Sequence, residues 1–155
     1  MNLTLCLFSA EHQDFLFQLY ASTRQQEFAQ LGWPAAQLET FLRMQFNAQQ
    51  REYQNAYPGS EQSIVLCKGS AVGRLWVARN DCEIHVVDIS LLPEFQRHGI
   101  GTQLYRQLMA EAKAAAKPVR CSVSRFNDAS LRFHQHLGFR VTAETEVILG
   151  MEACF

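Results

Sequence analysis

The sequence predicts an α/β domain with a mixed central sheet flanked by helices, and three observations predict it. Apolar residues switch between period two and helical spacing along the whole chain, in the order β-α-α-β-β-β-α-β-α-β-β. One strand near the middle, Glu83 to Leu92, is apolar on both faces, as expected of a strand covered on both sides. After Pro93 this strand turns a polar corner into Gln96-Arg97-His98-Gly99-Ile100-Gly101-Thr102, where helical spacing begins.

Leu3 to Phe8 reads as the first strand, with Ser9 as a helix N-cap. Phe15, Leu16, Leu19 and Tyr20 mark the first helix, expected to end near Thr23 and to leave Arg24 to Trp33 as a loop. Pro34 suits the first position of a second helix, in which Leu38, Leu42, Phe46, Tyr53 and Tyr57 share one stripe. Tyr57-Pro58-Gly59-Ser60 stops it. Ser63 to Lys68 and Ala71 to Arg79 are strands joined at Lys68-Gly69-Ser70, and Asn80-Asp81 turns into the central strand. Leu104, Leu108 and Ala112 carry a third helix that ends before Pro118. Val119 to Ser124 is a strand, Asn127 opens a short helix and Gly138 ends it. Two last strands fill Phe139 to Phe155, joined near Ala143 to Glu146.

A chain of 155 residues, 48% hydrophobic and 19% charged, is sized for one soluble domain with a single sizeable core. A formal net charge of −1 argues against a nucleic-acid partner, because basic patches supply most of that affinity. Cys6, Cys67, Cys82, Cys121 and Cys154 are odd in number and scattered. They are expected to be reduced, mostly buried thiols, and no metal site is suggested. With no basic-then-apolar start and no span of membrane length, no signal peptide and no membrane partner are expected, and the compartment is read as cytoplasmic.

Glycines one residue apart at a helix start let the backbone turn sharply and aim unpaired N–H groups at an anion. The dinucleotide fingerprint needs a third glycine where Leu104 stands, and no Gly-Lys follows Gly99 to make a P-loop. Gln96 to Gly101 instead resembles the Gln/Arg-x-x-Gly-x-Gly/Ala signature of the GNAT acetyltransferases. A second stretch strengthens the resemblance: Asn127, Ser130, His134, Gly138 and Phe139 lie along the family pattern Asn-x-x-Ala-x-x-x-Tyr-x-x-x-Gly-Phe. Ser130 replaces the small Ala, and His134 replaces the tyrosine. The element order is similar to the family's acyl-CoA N-acyltransferase fold over essentially the whole chain. The resemblance implies one domain over residues 1–155, with a cofactor-binding core at about 64–140.

By position, the resemblance implies that Gln96, Arg97, His98, Gly99, Ile100, Gly101 and Thr102 hold the pyrophosphate of acetyl-CoA. Ile89, Ser90 and Leu91 would offer backbone groups to the pantetheine arm, as a sheet edge does to a peptide. Asn127 would bond that arm or cap its own helix. His134 takes the place of the family tyrosine that protonates the departing thiolate. Imidazole can do this near neutral pH, but it is shorter than phenol, and the other role open to it is packing over the cofactor. The family's central-strand Glu, eleven residues before the loop glutamine, is here His85; alternation puts Glu83 on its face and Asp88 on the other. His85 or Glu83 is the first choice for the base and Asp88 follows; Ser122, at another family base position, cannot serve. Acceptor recognition is expected around Arg24, Glu27, Trp33, Gln45, Gln49 and Tyr53.

The expected activity is therefore direct acetyl transfer from acetyl-CoA, as co-substrate, to a small-molecule or peptide amine, with homodimer formation left open. A different class, a non-catalytic acyl-CoA-binding sensor or interaction module, is the alternative that the missing tyrosine favours. Transfer to oxygen, or of a longer acyl chain, is a third.

Overall fold

The computed structural model describes residues 2–155. In chain order the elements are β1 (Leu3–Leu7), α1 (Gln13–Ala29), α2 (Ala35–Ala56), β2 (Glu61–Cys67), β3 (Ser70–Arg79), β4 (Ile84–Leu91), α3 (Ile100–Ala115), β5 (Val119–Ser124), α4 (Asp128–His136), β6 (Arg140–Glu144) and β7 (Ile148–Ala153). The seven strands form one mixed sheet in the order β1-β2-β3-β4-β5-β7-β6. Every pairing is antiparallel except β4 with β5, which α3 connects as a crossover. One face packs Leu104, Tyr105 and Leu108 of α3 against Val86 and Cys121. The other packs Leu16, Leu19 and Phe46 of α1 and α2 against Ile64.

The first helix runs six residues past Thr23, so most of the expected Arg24–Trp33 loop is helical. Ser22 and Thr23 do not break it, because their hydroxyls donate back to the Leu19 and Tyr20 carbonyls. Phe28 then anchors the extra turns against Phe41 of α2, ring centroids 5.6 Å apart. Pro34 stands one place before α2, as its cap, and its carbonyl accepts from Leu38 N. The expectation of mostly buried thiols fails: Cys6, Cys82 and Cys154 are exposed and only Cys121 is buried. Those three lie on an edge strand, in a turn and beyond the last strand, where nothing covers them.

The central strand departs from simple alternation. Trp76 pairs with Asp88 but Val77 pairs with Val86, so Val87 is an extra residue, a β-bulge. Ile84 and Val86 face the α3 side before the bulge, and Ile89 and Leu91 face it afterwards. Asp88 was expected opposite His85; the bulge shifts the phase by one and brings His85, Asp88 and Ser90 to the α1–α2 face. The same bend ends the pairing with β5. Only Ile84, His85 and Val86 match Val119, Arg120 and Cys121, and beyond them the strands part into a wedge.

Gly73 of β3 is the point at which β4 comes close. A methyl group there would sit 2.3 Å from the Ser90 carbonyl oxygen and 2.6 Å from Leu91 Cδ2. Gly73→Ala must therefore push the far half of β4 outward. Such overpacking costs about 1–3 kcal/mol. Urea unfolding should show that loss as a lower midpoint with an unchanged slope, and an unchanged midpoint would show that β4 yields freely.

Candidate active site

The wedge and the loop beyond it form one continuous surface. Past Val86 the edge of β4 that carries Ile89, Ser90 and Leu91 has no partner in β5. A short turn at Pro93–Phe95 follows, and Gln96 folds back to donate from Nε2 to the Leu91 carbonyl at 3.0 Å. Arg97 and Gly99 both take left-handed backbone angles, φ 63° and 84°. These bends turn the chain into α3, whose first internal bond is Gln103 N to the Gly99 carbonyl at 3.0 Å. The N–H groups of Ile100, Gly101 and Thr102 precede that bond and are the unpaired donors of a helix start. His98 and Arg97 are exposed beside them. Gly101 serves a second purpose, since a Cβ there would lie 3.1 Å from the Phe133 ring of α4. Asn127 takes the capping role, accepting Ser130 N at 3.1 Å through Oδ1.

On the other face a buried guanidinium organises the site. Arg74, 4% exposed, commits all five N–H groups inside the protein. Nε and one Nη donate to Asp88 Oδ2 at 3.0 and 2.8 Å. The remaining donors reach Oε1 of Gln49, Gln50 and Gln62 at 3.1, 3.1 and 3.4 Å. Ser90 Oγ gives Asp88 Oδ2 a third hydrogen bond at 2.7 Å. Asp88 Oδ1 receives none among the described residues, and the side chain keeps a fifth of its surface open. Asp88, Ser90, Arg74 and Gln49 line a cavity of about 110 Å³ whose other wall is α1, from Leu16 to Arg24.

His85 and Glu83 lie in a separate cluster and line neither this cavity nor the larger one between β1 and the end of α2. Tyr57 stacks on His85 at 4.8 Å, and its hydroxyl sits 3.0 Å from Nε2. Glu83, just before β4, stands 3.9 Å from His85 Nδ1 and is paired with Arg120 at 2.9 Å. Burial lowers the His85 pKa, with Glu83 pulling the other way.

His134 is 5% exposed and has both ring nitrogens engaged. Nδ1 is 2.7 Å from the Ser130 carbonyl, which can only accept, so Nδ1 carries the hydrogen. Nε2 then accepts from the Tyr105 hydroxyl at 2.7 Å. Burial lowers the His134 pKa, so the neutral ring is the resident form near pH 7. The ring is packed edge-on between Phe133, Phe139 and Tyr105.

Of the acceptor-side residues, Trp33 packs on Phe41 at 5.2 Å and Glu27 is exposed; neither reaches the cavity. Gln45 accepts from Tyr20 at 3.5 Å. Tyr53 packs on Trp76, and burial followed by the Asp88 charge pushes its pKa up to about 12. Sequence reasoning missed Arg74 and Tyr105. Arg74 had a signal: it is a cation inside an apolar strand, the mirror image of Asp88. Tyr105 had none, since a tyrosine at a helical core spacing reads as packing.

The sequence profile of the acetyltransferase (GNAT) family matches residues 17–139. No curated protein sequence matches significantly. Among solved structures, the PaiA N-acetyltransferase of Thermoplasma acidophilum, in complex with coenzyme A, is similar at TM-score 0.74 and 16% identity, covering 100% of both chains. An acetyltransferase of Thermus thermophilus is similar at TM-score 0.72 and 17% identity, over 100% of this chain and 98% of its own. A GNAT family acetyltransferase of Elizabethkingia anophelis with acetyl-CoA bound is similar at TM-score 0.62 and 13% identity, over 99% of each. At these identities the likeness establishes the fold.

The His134 geometry has a measurable consequence. Burial depresses the folded pKa of His134 and of His85, so below the ordinary histidine value of about 6.5 the unfolded chain binds more protons than the native one. Stability is complete above that pH and is lost as pH falls through the native pKa values. Melting temperature should therefore drop on acidification from pH 7 to 5, and less steeply in His134→Phe. That variant also removes the nitrogen acceptor of the Tyr105 hydroxyl, at about 1–3 kcal/mol. Adding Tyr105→Phe should recover part of the loss; strict additivity of the two would refute the pairing.

Proposed function

The chain belongs to the GNAT acetyltransferase family, and from that premise we propose that it transfers an acetyl group from acetyl-CoA directly to the amine of a small molecule or peptide. The observation that carries the reading is the wedge between β4 and β5 opening onto the Gln96–Thr102 cradle. Its donor set suits this ligand: free helix N–H groups and Arg97 for a diphosphate, and an unpaired strand edge for the amides of a pantetheine arm. The Thermoplasma protein bound to coenzyme A and the Elizabethkingia protein bound to acetyl-CoA support the choice. No helix among the described residues is long and apolar enough to cross a membrane.

Acetyl-CoA supplies the acetyl thioester. Each other element has its own task. Gln96 to Thr102 bind the diphosphate, and Gln96 ties that loop to the end of β4. Backbone N–H groups of β4 beyond the bulge polarise the carbonyl that the amine attacks. Asp88, with Oδ2 saturated and Oδ1 open, orients the acceptor nitrogen and takes up the charge of its ammonium. As an ammonium the nitrogen gives up two protons: the first leaves through Asp88 Oδ1 to water and frees the lone pair for attack, and the second, lost from the tetrahedral adduct, balances the proton taken by sulfur. His134 acts as a packing and positioning residue, because its only ring hydrogen is committed to the Ser130 carbonyl. His85 and Glu83 support the strand from their own cluster, outside the cavity. Residues 64–140 carry the cofactor-facing groups of this reading, and α1 and α2 add the acceptor wall, within one domain over 1–155.

Two measurements test it. Saturating CoA should raise the melting temperature by mass action, and NAD should not. Gly99→Asp places a side chain and a negative charge at a left-handed position in the cradle, and calorimetry should then show CoA affinity lost while the far-UV spectrum stays native. Unchanged affinity would put the diphosphate elsewhere.

A further inference from the structure

We propose that the acceptor is a small zwitterion, an amine carrying a carboxylate, with Asp88 holding the ammonium and Arg24 the carboxylate. The inference rests on the acetyltransferase reading and names the substrate class of the same site.

The charges of the cavity wall carry it. Two guanidiniums, Arg24 and Arg74, face the cavity against one carboxylate, Asp88. Arg74 and Asp88 neutralise each other, and Arg74 has no N–H left for a ligand. Arg24 is different. Its guanidinium lies over the Tyr20 ring at 4.6 Å and donates one bond, to Thr23 Oγ1 at 3.1 Å. It has no carboxylate partner among the described residues. The stacking holds the plane of the guanidinium while leaving its remaining donors for a planar anion. On the sheet side of the cavity, Asp88 Oδ1 is an acceptor without a donor. The cavity therefore presents an anionic acceptor at its floor, beside Ser90 of the wedge, and a cationic donor set on the α1 wall. A ligand that satisfies both carries an ammonium at one end and a carboxylate at the other. A polyamine would satisfy the floor and meet Arg24 with like charge.

Size agrees with charge. A cavity of about 150 Å³ holds a benzene molecule, so one of about 110 Å³ takes a group of a few heavy atoms. That is the scale of an amino acid head group, well short of a helix or a folded peptide segment. Thr23 is exposed and Arg24 half-buried, which places the mouth on α1 and lets a side chain extend outward.

The test compares free amino acids with their own amides and with spermidine, on the full chain. Release of CoA thiol gives turnover, and calorimetry into CoA-saturated protein gives occupancy. The expected result is that free acids bind and react with a KM about tenfold below that of the matching amides, the scale of one charge-assisted contact. Arg24→Gln should bring the acid-to-amide ratio close to one by raising the KM of the acids. The residue is on the surface of α1, and an unchanged far-UV spectrum checks the fold. Amides or spermidine used as well as the acids, or an unchanged ratio in Arg24→Gln, overturns the inference and leaves the transferase reading standing. Acids that bind in an Arg24-dependent way without thiol release support the zwitterion site and overturn the transferase reading instead. If no acid binds and none turns over, the inference is overturned.

Discussion

A guanidinium cannot be buried unless every one of its N–H groups is satisfied, and that constraint on Arg74 sets much of this molecule. Its five donors reach β2 through Gln62, α2 through Gln49 and Gln50, and β4 through Asp88. Removing any one acceptor would leave an orphan polar group in a water-poor place, which costs more than the bond itself contributes. The network thus fixes the roll of α2 on the sheet and the rotamer of Asp88 together. It also explains why a helix so rich in glutamine lies against a core: two of its glutamines are there as acceptors.

The extra residue at Val87 links that network to the wedge. Without it Asp88 would point at α3, into an apolar layer with no cation to meet it. With it, Asp88 and Ser90 turn toward Arg74, Ile89 and Leu91 turn into the core, and β4 bends away from β5. One inserted residue therefore supplies the carboxylate, the opening beside it and the unpaired strand edge. Gly73 makes room for the bend on the other side.

Most of the fold was legible in the sequence, since period and punctuation set the order of eleven elements and nearly all their limits. The cradle was legible as well, because its residues are contiguous and each glycine has a local reason. The site on the other face was not. The alternation in Ile84 to Leu92 slips at Val86-Val87, but an apolar doublet in a strand covered on both faces does not by itself mark a bulge, so the phase of Asp88 could not be counted. That same phase puts His85 on the face of Asp88, and their separation lies along the strand, His85 meeting Tyr57 and Asp88 meeting Arg74. The extra turns of α1 were hidden because Ser22 and Thr23 resemble helix ends until their hydroxyls are seen to bond back to the preceding turn. Arg24 consequently moves from a loop to a helix wall.

The sheet is continuous in outline, yet its two halves meet along only three residue pairs, Ile84 to Val86 against Val119 to Cys121. On one side are four antiparallel strands, β2 to β4 joined by short turns and β1 joined to β2 through α1 and α2; on the other, three strands from the last third of the chain. Within each half the strands pair over longer registers, and the seam between the halves holds few of the hydrogen bonds that protect amides from solvent. Local opening should run along this line before either half unravels. Amide exchange is then faster at the seam than in the strands flanking it. Anything lodged in the wedge lengthens the seam from three pairs to a full ladder and makes the two units one.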